Sequence, residues 1–108
     1  MGTDGDRRSG DGIAPGMLDI RARHEDGGWQ MTLRGELAIE TVDAAAMELD
    51  RLAPDPVVLD LSGVTFIDSM GLTLLVRRVS SSVVIGAVSG EVDRIIRLCG
   101  LQPELRPD

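Results

Sequence analysis

Val57-Val-Leu-Asp-Leu-Ser-Gly-Val-Thr-Phe-Ile-Asp-Ser-Met-Gly-Leu-Thr-Leu-Leu-Val-Arg-Arg-Val79 is the longest apolar-dense segment of the chain, broken at its centre by Asp68-Ser69. Ahead of the break, the run rich in Val and Leu predicts a strand over Val57 to Leu61, buried on both faces. Beyond it, Leu72, Leu75, Val76 and Val79 recur at i, i+3, i+4 and i+7, the spacing of one helix face. The segment therefore predicts a strand feeding a helix that runs to about Val79. Asp68-Ser69 falls at the helix start, where the first amide groups lack partners and the macrodipole is positive, so an oxygen-rich or anionic group is stabilised. Taken alone, this is a serine N-cap with an acidic neighbour, worth about 1 kcal/mol to the helix.

Toward the N-terminus, Leu18, Ile20, Ala22 and His24 alternate with Asp19, Arg21 and Arg23, the pattern of a half-buried strand. Glu25-Asp26-Gly27-Gly28 predicts a turn, and Trp29, Met31 and Leu33 resume the alternation, so the two strands form a hairpin. His24, the only histidine, reads as a residue of the strand end. Val42, Ala45, Ala46, Leu49 and Leu52 mark a helix face with Thr41 as its cap, and Pro54 and Pro56 stop that helix before the central strand.

Toward the C-terminus, Ser80-Ser81-Ser82 connects to Val83 to Val88, a strand with the continuous apolar character of a sheet interior. Strand, helix and strand in this order imply parallel neighbours joined by a right-handed crossover. Ser89 caps a third helix with a face of Val92, Ile95, Ile96 and Cys99, and Gly100 is its C′ residue. Glu104 to Arg106 is at most a short edge strand. Met1 to Gly16 holds five of the thirteen glycines and few apolar residues, so it reads as a mobile tail. The expectation is one α/β domain over residues 17–108, a mixed sheet of four to five strands with about three helices.

Composition narrows the function classes. A net charge of -7 argues against nucleic acid and anionic membranes, and 2% aromatic content disfavours stacking against bases or sugars. Every basic residue is Arg, so no phosphate-binding loop with its lysine exists. One His and one Cys far apart support no metal site, and no cofactor is implied. Cys99, on the apolar helix face, is expected to be a buried, inert thiol. No apolar run approaches the roughly 20 residues of a membrane span and the N-terminus lacks a signal-peptide core, so a cytoplasmic protein is expected. Ser69 as a hydrolase nucleophile is opposed by Ile67 where that motif needs glycine, by a histidine that precedes it, and by the lack of a further triad member.

The segment Val57 to Leu72 closely resembles the signature of STAS domains, in particular the bacterial anti-sigma factor antagonists. Leu33-Arg-Gly-Glu-Leu37 and Val92-Asp-Arg-Ile-Ile-Arg-Leu-Cys-Gly-Leu101 match the family's second-strand end and late helix in order and near spacing. The resemblance implies a phosphoacceptor at Ser69, modified by an anti-sigma factor that is itself a serine kinase and cleared by a serine phosphatase. It also implies a partner surface comprising Asp68, Met70, Gly71, Glu36 and Ala38, on a monomer or weak homodimer. Ala38 stands where many antagonists carry Asp, and Met70 replaces a frequent second serine, as either core or contact surface. The second helix is expected to lack about a turn, and the family's C-terminal helix to be missing after Pro107. A degenerate scaffold subunit of a signalling or lipid-transport complex, without phosphorylation, is the competing reading.

Overall fold

A computed structural model describes residues 16–106; the expected tail, Gly16 apart, lies outside the described residues. The element order is β1 (Leu18–Glu25), β2 (Gly28–Leu37), α1 (Val42–Leu52), β3 (Val57–Ile67), α2 (Ser69–Arg78), β4 (Val83–Val88), α3 (Gly90–Leu98) and α4 (Gln102–Leu105). The four strands form one sheet in the order β1-β2-β3-β4. β1 is antiparallel to β2, and β2, β3 and β4 are mutually parallel. The hairpin is as the sequence implies, with Asp26 and Gly27 both at positive φ between the paired Glu25 and Gly28.

The expectation that β3 and β4 are buried on both faces is overturned. β3 runs to Ile67, well past Leu61, and buries one face only, through Val57, Leu59, Leu61, Val64 and Ile67. Val58 and Val84 stand 42% and 41% exposed on the opposite face. The reason lies in the strand order: β2, β3 and β4 step across the sheet in one direction. Crossovers of one hand that step in one direction deposit their helices on one face. Met31, Leu33, Leu37, Ala45, Leu49, Leu52, Leu75, Val92 and Ile96 fill the single core between that helix layer and the sheet.

Two further readings are corrected at the C-terminal end. Residues 102–105 form a helical turn, not an edge strand, and it drives Leu105 into the core at 1% exposure. Cys99 is exposed, because α3 buries Val92 and Ile96 and ends at Cys99, where the chain turns away through Gly100 at φ 69°. The Leu101 amide donates to the Ile96 carbonyl at 3.0 Å, closing the helix in the manner the Gly-Leu pair implies. Among the described residues no helix is long and apolar enough to cross a membrane.

One-sided burial makes a direct prediction for neighbouring residues of one strand. Leu59→Ala should cost about 2–5 kcal/mol in a denaturant titration, the usual range for a buried leucine. Val58→Thr should stay within about 0.5 kcal/mol, as surface substitutions do.

Candidate functional site

β2 and β3 are parallel and end side by side, with Leu37 opposite Ile67, so the chain segments leaving them meet at one end of the sheet. From β3 the chain enters α2 at once. The helix passes so close to the end of β2 that a Cβ at Gly71 would lie 2.2 Å from the Leu37 carbonyl oxygen and 2.9 Å from Ile67 Cγ1. Only glycine fits there. The Asp68 amide donates to the same Leu37 carbonyl at 3.3 Å.

Asp68, not Ser69, is the N-cap. One carboxylate oxygen accepts from the Gly71 amide at 2.9 Å, and the other accepts from the Ile39 amide at 3.0 Å. The expected serine cap is overturned because a longer strand β3 brings Asp68 to the extended position just before the helix, at φ -107° and ψ -172°. That is the geometry a capping side chain needs. Ser69 becomes the first helical residue and is exposed, its carbonyl accepting from the Thr73 hydroxyl at 2.8 Å.

From β2 the chain makes a tight turn through residues 38–41. Thr41 sits at the start of α1 but does not cap it. Its hydroxyl instead accepts from the Ala38 amide at 3.0 Å and donates to the Glu36 carbonyl at 2.7 Å. The turn competes for the hydroxyl and wins, since these buried backbone groups have no water to bond to. Ala38 is 2% exposed and Gly71 is buried, so neither presents a side chain to a partner; both shape the surface from beneath. Met70 is 43% exposed, which resolves it as surface. Glu36 is half-buried and pairs across the sheet with Phe66, itself 44% exposed. The structure thus brings Asp68, Ser69, Met70 and Gly71 against the turn that follows Glu36.

His24 is nowhere near. It pairs with Trp29 at the start of β2, ring centroids 4.7 Å apart in an edge-to-face contact. The length of β3 separates that end from Ser69, roughly 35 Å for an eleven-residue strand at about 3.3 Å per residue. No histidine-activated serine can be assembled.

A family model described as the STAS domain matches residues 19–107. The chain belongs to the STAS domain family. Among solved structures it is similar to the crystal structure of an anti-sigma factor antagonist from Mycobacterium paratuberculosis, at a TM-score of 0.75 and 25% identity over 86% of each chain. No curated protein matches the chain.

Within this STAS domain, the roles of Asp68 and Thr41 and the exposure of Ile39, at 62%, escaped sequence reasoning. Ile39 had a visible signal, an aliphatic residue in a strand-to-helix turn where polar residues are usual. The double use of Asp68 had none, because its second partner lies 29 residues away. Burial by itself would raise the Asp68 carboxyl. The amides of Gly71, Ile39 and Met70 outweigh it and hold the pKa below the ordinary carboxylate value.

A pKa depressed in the folded state marks stability that is present above the unfolded value, near 3.9, and lost as pH falls through the folded one. Asp68→Asn, which cannot titrate, should therefore lose less stability than the wild type as pH falls from about 4 downward, read from urea midpoints at successive pH values. Gly71→Ala should destabilise at every pH by more than the 0.5–1 kcal/mol or so that glycine-to-alanine usually gains inside a helix, because the Leu37 carbonyl blocks the methyl group.

Proposed function

We propose that this STAS domain is an anti-sigma factor antagonist controlled by phosphorylation of Ser69. The unmodified form binds an anti-sigma factor that is a serine kinase, which frees a sigma factor in the cytoplasm. Phosphorylation of Ser69 by that kinase releases the partner, and a serine phosphatase restores the binding form. The chain supplies the acceptor hydroxyl and the docking surface, and the transfer chemistry belongs to the kinase.

The observation that carries this reading is the placement of Ser69. It is exposed on the first turn of α2, at the end of the sheet where two chain segments meet, and it has no part in capping the helix. A kinase can reach such a hydroxyl without unfolding anything. The similarity to an anti-sigma factor antagonist supports the assignment of partner class.

The physics of release follows from Asp68. A phosphate brings about -1.5 to -2 charges and three acceptor oxygens to the adjoining residue. A free helix start would neutralise part of that charge, but here the Gly71 amide is already committed to the Asp68 carboxylate. The added charge is therefore poorly compensated on the protein's own side. A kinase partner carries its own nucleotide phosphates, so like-charge repulsion and desolvation both oppose the complex. The fold tolerates the group, because Ser69 is exposed on the first turn of the helix.

In a calorimetric titration with the cognate kinase, Ser69→Ala should bind as the wild type does, whereas Ser69→Glu should bind at least about tenfold more weakly, equivalent to about 1.4 kcal/mol. Equal affinity of Ser69→Glu and wild type contradicts the release mechanism. Incubation with the kinase and ATP should add one phosphate to Ser69 by mass spectrometry. A partner that binds without ever adding it points instead to a scaffold subunit.

A further inference from the structure

The turn between β2 and α1 holds a side chain that the proposed function has not used. Ile39 is 62% exposed, beside Asp68 and thus beside Ser69 and the 43% exposed Met70. Ala38, its neighbour in the turn, is buried. The turn is stapled from within by Thr41, which bonds Ala38 and Glu36. Its apex, however, is tied to the rest of the molecule by the Ile39 amide alone among the side-chain hydrogen bonds of the described residues, through Asp68 at 3.0 Å.

We infer that Asp68 is a positioning residue for partner recognition, holding Ile39 and the serine-bearing start of α2 as one rigid surface so that Ile39 is the apolar contact of this turn. The inference rests on the antagonist reading above. Its partner is one of stated chemistry, an anti-sigma factor with an apolar recess for Ile39 and Met70. Glu40 in the turn and Asp43 in the first turn of α1 are both exposed, and no cation stands between them or in the rest of α1 before Arg51, so the rim of that recess that meets them is basic. Fixing the backbone that presents an exposed aliphatic side chain before binding removes part of the ordering cost that association otherwise meets.

The carboxylate's two oxygens serve two different amides, which separates positioning from simple helix stability. Asparagine offers one acceptor oxygen and one NH₂ group, so Asp68→Asn can keep the Gly71 cap or the Ile39 bond but not both. The cap is local to the helix start, and Asn is as good an N-cap as Asp. The Ile39 bond is the one lost.

Amide exchange by NMR on the full chain tests this without any partner. Asp68→Asn should raise exchange at Ile39 by about tenfold or more while Gly71 and the rest of α2 stay protected, the loss expected of a charge-assisted bond. In titrations with the cognate anti-sigma factor, Asp68→Asn and Ile39→Ala should each weaken binding, and the double variant should be no weaker than Ile39→Ala alone. Conservative Ile39→Val should recover most of the affinity. Unchanged exchange at Ile39 in Asp68→Asn overturns the positioning role even if the kinase binds. Additive losses in the double variant overturn the coupling between the two residues. A wild-type chain that binds no anti-sigma factor overturns the recognition role together with the proposed function, while the exchange result stands apart from it.

Discussion

The first turn of α2 runs against the end of β2 with no room for a side chain between them, and the site follows from that contact. Gly71 rests on the Leu37 carbonyl at a separation only glycine permits. So close an approach leaves unpaired backbone donors on both segments, the opening amides of a helix and the amide of a tight turn. One carboxylate satisfies both. Asp68 can do so because it leaves β3 in extended geometry at the height where the β2 turn passes. With Asp68 turned inward and Gly71 pressed down, Ser69 and Met70 are left facing solvent on the remaining side of the helix start.

The sheet explains why the site lies where it does. Parallel neighbours send their C-terminal connections out at the same end, which is where ligands and partners are met in open α/β sheets. β2 and β3 are such neighbours, and their connections carry the turn at residues 38–41 and the start of α2. β1 and β4 are the edges of the sheet. The sheet face opposite the helices is left to polar side chains, arginines, the two exposed valines and Phe66. Among the described residues the one helix layer covers one core, which includes Leu37 and Ile67 at the end of the sheet that carries Ser69.

Much of this was legible in the residues themselves. The hairpin followed from alternation and Asp26-Gly27, α1 from Val42, Ala45, Leu49 and Leu52, and α3 from Ser89, Val92, Ile96 and Gly100. The family followed from the signature over Val57 to Leu72, and the model match over residues 19–107 agrees with it. The misreadings share a cause. β3 and β4 are apolar on both faces in sequence, yet one face meets solvent because strand order gives it no helices. Cys99 continues an apolar stripe, yet the stripe outlasts the core beneath it. Leu105 lies in a stretch short enough for an edge strand, yet a helical turn buries it.

By itself, the sequence determined the types and order of the four strands and of α1 to α3, and the strand-to-helix junction at Asp68-Ser69, because those depend on periodicity, capping residues and turn chemistry within a few positions of one another. Only the tertiary structure decided which residue caps α2, which face of the sheet is open, and that Ile39, not Ala38, meets solvent. Each of those depends on a partner distant in the chain: Leu37 under Gly71, the Ile39 amide opposite Asp68, the helices over one face. Local pattern carries no record of what will arrive from 29 residues away. Proximity created by folding assigns the two oxygens of one carboxylate to two segments, and leaves the serine beside it free.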